Sequence, residues 1–526
     1  MTSNQDASNC VFGGYNAVAP APLREHGVGA FFCPRTPGCS THQISTYIMD
    51  DESHIAMDRR TFLGGLGTLG TASMLGIRPW RDKQSSADPP NILFVWTDDQ
   101  SASDLGCYGN DSIRTPNIDR LAEEGIRFTR AYVASPQCSP SRSAAFTGEA
   151  PHTTGTSRLH APLQDRYSSI LELLKEAGYF VGTYRKVHLG AAFAERWDFD
   201  GSAEGAYNHE DAEGVTFRDF FATRPDDAPF FLHVGLTEPH RPYEEGAIRN
   251  PHPPSAVEVP PFLPDTDAVR QDLAHYYDEI ASADATCGHL FDLLDEHGLA
   301  EDTIVVFSAD NGMPFPGAKG TLYEPGVHVP LIVRWPGRIE GGRVSDALVS
   351  LVDLPTTILD LADADPLPEA QGQSFAPVLR GDTDTHRDYV FVERNWHDNL
   401  DFIRGVVTDR FKLIQNFSPR WPYRPTLDLK EAPAWTALTR QRDAGTLDAA
   451  LNRRYFQDKR SRTEFYDLEV DPAELTNRAD GAGYGDSVHR LRRTLNDWMK
   501  RTNDFLPPLN GAFGGLGLDV DPISGD

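Results

Sequence analysis

Cys138 and Arg142 bracket the segment Cys-Ser-Pro-Ser-Arg, which combines a thiol with a fixed positive charge. The segment follows a predicted strand and loop over residues 132–137 and opens a predicted helix that runs to Gly148. Pro140 is favoured in a first helical turn because its missing N–H would have no partner there. The free N–H groups of that turn and the Arg142 guanidinium would bind an anion beside the thiol. Taken alone, the segment is equally consistent with a buried cysteine beside a helix cap.

From residue 91 onward, apolar runs of strand length alternate with helical stretches. The predicted strands are 92–96, 180–184, 230–236, 303–307 and 329–335, and the main predicted helices are 115–125, 168–177 and 272–297. Continuous apolar strands between helices are typical of a mainly parallel sheet that is covered on both faces. Shorter strands follow near the C-terminus, at 389–393, 405–407, 411–415 and 464–468, before a closing helix at 487–500. We therefore predict an α/β catalytic domain over residues 89–382 and a smaller α+β domain with an antiparallel sheet over 383–526.

Polar residues follow four of the predicted strands directly. They are Asp98 and Asp99 after the first strand, Lys186 and His188 after the second, Glu238, His240 and Arg241 after the third, and Asp310 and Asn311 after the fourth. Open α/β sheets hold their ligands at the carboxyl ends of the strands. We therefore expect these side chains to converge on one edge of the sheet.

Three carboxylates and one amide in this group form an all-oxygen donor set: Asp98, Asp99, Asp310 and Asn311. Hard oxygen donors suit Ca²⁺ or Mg²⁺ better than a soft metal. Each pair taken alone is also consistent with a turn at the end of a strand. Because the two pairs follow two strands of the same predicted sheet, the pattern favours a divalent-metal site.

The segment Cys-Ser-Pro-Ser-Arg, with Phe-Thr-Gly at 146–148 and Pro-His-Thr-Thr-Gly at 151–155, resembles the signature of the type I sulfatases. In that family the cysteine is oxidised after translation to formylglycine, an aldehyde that is the reactive group. Thr-Asp-Asp-Gln at 97–100 and Ser-Ala-Asp-Asn-Gly at 308–312 resemble the family's metal-binding segments. The resemblance implies an alkaline-phosphatase-like fold and a Ca²⁺ ion, with Mg²⁺ as the alternative. The ion would be held by the four oxygen donors, by the formylglycine made from Cys138 and by the sulfate of the substrate.

Three more segments resemble conserved parts of the same family: Lys-Val-His-Leu-Gly at 186–190, Pro-His-Arg-Pro at 239–242 and Gly-Ala-Lys-Gly-Thr at 317–321. The resemblance implies that three cations neutralise the charge of the sulfate: Arg142, Lys186 and Lys319. It further implies that His240 protonates the leaving atom and that His188 supports the aldehyde hydrate.

Within the family, the chain is most similar to the sulfamidases, the N-sulfoglucosamine sulfohydrolases. The similarity is carried by Asp-Asn-Gly-Met-Pro-Phe-Pro at 310–316 and by segments at 409–417 and 464–472. It implies hydrolysis of sulfate esters or sulfamates on sulfated sugars. Lys319 stands where sulfamidases tend to carry arginine, so the choice between N-sulfate and O-sulfate stays open. The alternatives are a phosphate mono- or diester hydrolase of the alkaline-phosphatase superfamily and a non-catalytic protein that binds sulfated glycans.

Several residues lie outside these motifs. By the same resemblance, His397, Arg404 and region 417–435 are expected to shape the substrate pocket. We interpret three histidines, His160, His209 and His275, as ordinary surface or core residues. Cys107 and Cys287 are predicted to be two buried thiols and not a disulfide.

The composition limits the partners of the chain. Its 526 residues include 49 Lys plus Arg and 77 Asp plus Glu, which gives a formal net charge of −28. Such an excess of acid argues against binding nucleic acid through a broad basic face. It favours a halophilic source, where salt screens the repulsion between like charges.

An Arg-Arg pair within Asp-Arg-Arg-Thr-Phe-Leu at 58–63 precedes a weakly apolar run at 63–77. The run is too short for a stable transmembrane span, and the pair indicates a twin-arginine export signal with its linker over residues 57–88. A chance Arg-Arg pair is the alternative. We interpret residues 1–56 as a disordered leader or a mis-assigned start. The expected partners are the twin-arginine translocon, a formylglycine-generating enzyme and a sulfated substrate, and the expected location is the cell envelope or the extracellular space.

Overall fold

The computed structural model describes residues 89–202, 216–244 and 246–506. The predicted leader and twin-arginine segment lie outside the described residues, as does His209. The described residues belong to one compact unit. Among them, no helix combines the length and the apolar character needed to cross a bilayer.

The strands of the described residues form three sheets and are numbered here in chain order. They are β1 Asn91–Thr97, β2 Ile126–Phe128, β3 Ala131–Tyr132, β4 Phe180–Arg185, β5 Phe199–Gly201, β6 Phe230–Gly235, β7 Thr303–Ala309, β8 His328–Val329, β9 Leu331–Arg334, β10 Arg343–Ser345, β11 Val349–Ser350, β12 Val390–Trp396, β13 Leu400–Val407, β14 Phe411–Asn416 and β15 Thr463–Asp467.

The helices of the described residues are numbered in the same way. They are α1 Pro116–Glu124, α2 Cys138–Thr147, α3 Pro151–Thr154, α4 Ile170–Glu176, α5 Ala191–Ala194, α6 Phe217–Thr223, α7 Asp267–Glu296, α8 Glu324–Val327, α9 Leu354–Leu361, α10 Ala376–Arg380, α11 Leu427–Lys430, α12 Pro433–Asp443, α13 Ala449–Tyr455 and α14 Gly485–Arg501. Helix α7 begins five residues before the predicted start because Thr266 caps it, accepting a hydrogen bond from the N–H of Val269.

The large sheet has eight strands in the order β10-β2-β9-β7-β1-β6-β4-β5. Strands β7, β1, β6, β4 and β5 are parallel, and β9 runs antiparallel to β7 and β2. The predicted α/β class with a mostly parallel sheet is confirmed. The predicted strand at 329–335 is instead two strands, because Pro330 has no N–H to donate to a ladder. Its first part, β8, joins a separate small sheet with β3 and β11.

Side chains of the central strand β1 enter both layers of the core. Ile92, Phe94 and Trp96 pack into one apolar cluster, whereas Leu93 and Val95 pack into the cluster that includes α7. Because successive strand residues point to opposite faces, this division shows a sheet that is covered on both sides. Burial of each such side chain contributes about 1.5–3 kcal/mol.

The C-terminal part contains the predicted antiparallel sheet, in the order β12-β13-β14-β15. Its apolar face packs against helix α14 through Leu491, Leu495 and Trp498. The predicted boundary near residue 383 falls between α10 and β12, where the chain passes from one sheet to the other. The division of the chain into two domains at that point stays a prediction.

Candidate active site

Helix α2 begins at Cys138 for local reasons. Gln137 before it is extended, with φ −150°, and Pro140 lies in the first turn, where no partner for an N–H is lost. The helix ends at Gly148, which takes the left-handed φ of 70° that glycine adopts readily. The thiol of Cys138 is 3% exposed and lies 3.4 Å from Oδ1 of Asp98. The predicted helix is thus confirmed, and its N-terminus meets the end of β1.

The register of β1 and β7 brings the four oxygen donors together. Thr97 pairs with Ala309, so the residues that follow the two strands emerge side by side. The N–H of Asp99 donates to Oδ1 of Asp310 at 3.2 Å, and Nδ2 of Asn311 donates to Oδ1 of Asp99 at 2.7 Å. These side chains and Asp98 are 0% exposed. The sequence-based expectation of a single cluster therefore agrees with the geometry.

The donor set fits a divalent cation. Carboxylate oxygens of Asp98, Asp99 and Asp310 lie within 4.8 Å of one another. Oδ1 of Asn311 is buried without a hydrogen-bond partner among the described residues, and a buried acceptor left in that state costs free energy. Burial, opposed by Lys319 and increased by Asp98, raises the pKa of Asp99 to about 8. A divalent cation would satisfy the open oxygen and favour the ionised form of Asp99.

Each of the three carboxylates is also held by a different cation. Nε of Arg142 lies 2.8 Å from Asp310, and Nζ of Lys319 lies 2.7 Å from Asp99. The Lys186 ammonium pairs with Asp98. Burial alone would raise the pKa of Asp98, but Lys186 and other nearby cations hold that pKa well below its usual range. The three cations come from α2, from the end of β4 and from the loop after β7, and none is exposed by more than a few per cent.

The Arg142 guanidinium is fixed on three sides. Its Nη1 donates to the carbonyl of Lys186 at 2.7 Å, and its Cζ lies 4.8 Å from the centre of the Trp96 ring. Gly235 makes this close packing feasible. A Cβ at that position would lie 2.0 Å from the carbonyl oxygen of Lys186 and 2.9 Å from Nη1 of Arg142. The positive charge of Arg142 is therefore held in a fixed position near Cys138.

His240 lies on the accessible side of the cluster. Its Nε2 is 3.7 Å from Oδ2 of Asp99, and its side chain is 17% exposed. Nδ1 of His240 is hydrogen-bonded to the carbonyl of Arg241, which requires the proton on Nδ1. The Arg241 guanidinium in turn pairs with both oxygens of Asp272, at 2.8 Å each. These contacts orient Nε2 of His240 toward the cluster.

His188 lies deeper than His240. Burial and the nearby Lys186 and Arg142 hold the pKa of His188 well below its usual range, so its ring is neutral near pH 7. Its Nε2 is hydrogen-bonded to Nδ1 of His160 at 2.6 Å. Asp99 and His188 both have left-handed φ angles, 69° and 61°. For residues other than glycine this conformation costs about 1–3 kcal/mol and is concentrated at functional sites.

Two family models match the chain. One, described as Sulfatase, covers residues 90–364, and one described as N-sulphoglucosamine sulphohydrolase, C-terminal, covers residues 318–454. The chain belongs to the sulfatase family. It is 31% identical to human N-sulphoglucosamine sulphohydrolase, over 80% of this chain and 91% of the human protein. It is 28% identical to an ulvan-active sulfatase of Formosa agariphila, over 79% and 75% of the two chains.

Solved structures share the fold of this sulfatase at lower sequence identity. A protein in complex with its substrate D-glucosamine-2-N,6-O-disulfate has a TM-score of 0.62 and 20% identity, covering 80% of this chain and 99% of its own. The phosphonate monoester hydrolase of Agrobacterium radiobacter has a TM-score of 0.62 and 19% identity, covering 78% and 96%. These likenesses confirm the predicted fold and do not separate sulfate from phosphorus chemistry.

Two residues that were not singled out from the sequence contact the site in the sulfatase, and one of them, Asp428, lies in region 417–435, which was expected to shape the substrate pocket. Oδ2 of Asp428 lies 2.8 Å from Nζ of Lys319, and His160 contacts His188 as described. His160, interpreted from the sequence as an ordinary histidine, thus lies beside a predicted site residue. Both residues lie outside the strand-end segments, so their positions follow from tertiary packing that the sequence pattern does not reveal. The N–H of His160 also donates to Oγ of Ser139 at 2.8 Å, next to Cys138.

The remaining predictions are confirmed only in part. His397 is buried, its Nδ1 bonds to Asp398 at 2.9 Å, and its Nε2 has no hydrogen-bond partner among the described residues. Arg404 instead binds Asp504, at 2.6 Å from its Nε, within the C-terminal part. His275 bonds to a neighbour on α7 and does not contact the site residues named here. Cys107 and Cys287 are free thiols, but Cys107 is half-buried where full burial was predicted.

Proposed function

We propose that this sulfatase hydrolyses sulfate esters or sulfamates of sugars through formylglycine formed at Cys138 and a divalent cation, Ca²⁺ in preference to Mg²⁺. The observation that carries the proposal is the cluster beside Cys138, in which three buried carboxylates each pair with a buried cation. Asp98, Asp99, Asp310 and Asn311 would hold the cation. Flexible coordination by six to eight oxygens suits Ca²⁺, whereas Mg²⁺ demands a stricter octahedron.

Two groups, a divalent cation and the formylglycine made at Cys138, would supply part of the chemistry. When bound, the divalent cation neutralises charge on the sulfate oxygens. Formylglycine made at Cys138 would supply, as its hydrate, a nucleophilic oxygen for sulfur and a second hydroxyl for the release of sulfate.

The side chains of the chain supply the charge that surrounds the substrate sulfate. The ammonium groups of Lys186 and Lys319 and the guanidinium of Arg142 are fixed before substrate arrives. Preorganised charges of this kind stabilise developing negative charge without reorganisation during the reaction. They also allow an anion to enter a protein whose formal net charge is −28. Helix α2 begins at Cys138, so the N–H groups of its first turn add partial positive charge beside that position.

Two histidines beside the cluster, His240 and His188, take different roles in the proposed reaction. His240 carries one proton on Nδ1, so its Nε2 can deliver a second proton to the leaving oxygen or nitrogen when the ring is protonated. Burial, Lys186 and Arg142 disfavour the protonated ring of His188, so this neutral ring would support the hydrate at position 138 through hydrogen bonds. In this assignment the acid is His240, the more exposed of the two histidines, and the leaving sugar would depart toward solvent on its side.

Replacing His240 with alanine is expected to lower kcat/KM by about 10²–10⁴-fold on sugar sulfamates and alkyl sulfates, because these leaving groups need a proton. The loss on nitrophenyl sulfate should be far smaller, since nitrophenolate leaves unprotonated. Steady-state kinetics on both substrate classes provides the measurement. The matched control is His275→Ala, a histidine on α7 that bonds to Gln271. Equal losses on the two substrate classes would show that His240 is not the acid.

The proposed activity is tested by turnover of N-sulfated and O-sulfated sugars with Ca²⁺ present. Each sulfate ester is paired with the phosphate ester of the same alcohol. Preference for the phosphate member of each pair would support a phosphate hydrolase in place of a sulfatase. Binding of sulfated sugars without any turnover, together with an unmodified Cys138, would support a glycan-binding protein.

We further propose that the protein is exported by the twin-arginine route after a formylglycine-generating enzyme has acted on Cys138 in the cytoplasm. Cys138 is 3% exposed in the folded protein, so the modifying enzyme must reach it before folding is complete. Peptide mass spectrometry on cytoplasmic and exported fractions should find the modified residue in both. The matched variant carries Arg59→Lys and Arg60→Lys and should keep the modification but remain in the cell. An unmodified thiol in exported, active protein would refute the proposed order.

A further inference from the structure

An exposed tryptophan and an arginine form a pair close to the candidate active site. The side chain of Trp396, the last residue of β12, is 40% exposed, whereas most large apolar side chains of the described core are buried. The guanidinium carbon of Arg158 lies 5.2 Å from the centre of the Trp396 ring. Within residues 89–202, 216–244 and 246–506, Arg158 forms no ion pair with a carboxylate. The chain has 28 more acidic than basic residues, yet the exposed guanidinium of Arg158 is not neutralised by a carboxylate among the described residues.

Backbone contacts tie this pair to the active site. Arg158 and Trp396 form an isolated parallel bridge, and the N–H of Leu159 donates to the carbonyl of Trp396 at 2.8 Å. The next residue after Leu159 is His160, whose ring bonds to His188 at 2.6 Å. The pair therefore lies at the rim of the site, within two residues of a side chain that contacts it.

The buried neighbour of Trp396 also reaches toward the site. His397 bonds to Asp398, and Asp398 accepts the N–H of Leu427, next to Asp428. Asp428 pairs with Lys319 at 2.8 Å. Both chain segments of the rim thus continue directly into groups that contact the proposed sulfate-binding residues.

The chemistry of the pair matches a sugar that carries an anionic group. A large, flat, partly exposed indole offers apolar area for the C–H face of a sugar ring. The guanidinium beside it offers a planar fork of donors to a sulfate or a carboxylate. A monosaccharide held by its sulfate in the buried cluster would leave this surface for a neighbouring sugar.

We propose that Trp396 and Arg158 form a subsite for the sugar adjacent to the one whose sulfate is cleaved. Trp396 stacks on that sugar, and Arg158 binds an anionic group on it, either sulfate or carboxylate. The inference rests on the proposed function and deepens it: the substrate is an anionic oligosaccharide and not a free sulfated monosaccharide. Both residues are specificity-determining and take no part in the bond cleavage.

Three substrates test the subsite: a sulfated disaccharide whose second sugar bears a carboxylate, the same disaccharide with that carboxylate reduced to an alcohol, and the sulfated monosaccharide. Trp396→Ala is expected to raise KM about 10-fold on both disaccharides, whereas Trp396→Phe, which keeps an aromatic ring, should largely restore it. Arg158→Ala should raise KM about 5-fold on the carboxylate-bearing disaccharide alone. A second sulfate in place of the carboxylate shows whether Arg158 distinguishes the two anions. For all variants, kcat and the monosaccharide kinetics should stay unchanged.

The matched control is Arg338→Ala, an exposed arginine over the Trp335 ring. Trp335 follows β9, which runs antiparallel to β7, so this pair lies at the opposite edge of the sheet from the site. Losses of equal size on the monosaccharide and the disaccharides, or no loss on any, would overturn the subsite. Calorimetric binding of the same three sugars to the Cys138→Ala protein gives a readout that does not need turnover. If the wild-type protein cleaves none of the sugars, the proposed function fails, while the binding ratios still decide the subsite.

Discussion

The Cys138→Ala variant is expected to lose about 10⁴-fold or more in kcat/KM on sulfated substrates, because it removes the nucleophile and leaves only the charges of the site. The same variant should still be stabilised by Ca²⁺, since the four oxygen donors do not depend on the cysteine. Thermal unfolding with and without Ca²⁺ measures this second property. An ion at 100 times its Kd adds about 2.7 kcal/mol to the free energy of unfolding.

Cys287→Ala is the matched control for this variant. Cys287 is a buried free thiol on α7, so its replacement removes a thiol without touching the cluster. The Cys287→Ala protein should keep its activity. Full activity of the Cys138→Ala protein would end the proposal of a formylglycine enzyme, whatever its response to Ca²⁺.

Replacing Asp310 with asparagine is expected to lower kcat/KM by about 10³-fold or more, because a bound metal ion contributes several kcal/mol to transition-state stabilisation. The variant should also lose the rise in melting temperature that Ca²⁺ gives. Removal of this carboxylate leaves the Arg142 guanidinium, 2.8 Å away, without its partner. A stability loss of about 3 kcal/mol is therefore expected even without metal.

Asp99→Asn gives a second test of the metal site that leaves the Arg142–Asp310 pair intact. The matched control for both variants is Asp104→Asn. Asp104 is a buried carboxylate that accepts a hydrogen bond from the hydroxyl of Tyr276 at 2.7 Å and lies outside the donor cluster. Asparagine can accept the same bond, so activity and the Ca²⁺ response should persist. A normal Ca²⁺ response in both the Asp310 and Asp99 variants would contradict the assignment of the metal ligands.

The part of the site that follows the strands could be predicted from the sequence. Asp98, Asp99, Asp310 and Asn311 each come directly after an apolar run, and parallel strands of one sheet end at the same edge. The position of Lys186 after β4 follows from the same reasoning. Polar residues that directly follow apolar strands therefore predict most of the cluster, once the strands are recognised as parallel.

Residues supplied by loops and by the C-terminal part could not be predicted in this way. His160 lies in an irregular segment, and its contact with His188 depends on how that segment folds over α2. Asp428 reaches Lys319 across 109 positions of sequence, and no periodicity relates them. Sequence patterns report local periodicity, whereas these contacts depend on the tertiary packing of the segment around His160 and of α11, which contains Asp428.

The cluster contains one more carboxylate than cations, because Asp99 and Asp428 share Lys319. Four acidic side chains, Asp98, Asp99, Asp310 and Asp428, face three basic ones, Arg142, Lys186 and Lys319. With all of them ionised, the empty pocket has one negative charge in excess, and a divalent ion inverts this to one positive charge. Because burial raises the pKa of Asp99 to about 8, the pocket without the ion is close to neutral at pH 7, and the metal supplies the net positive charge that attracts sulfate.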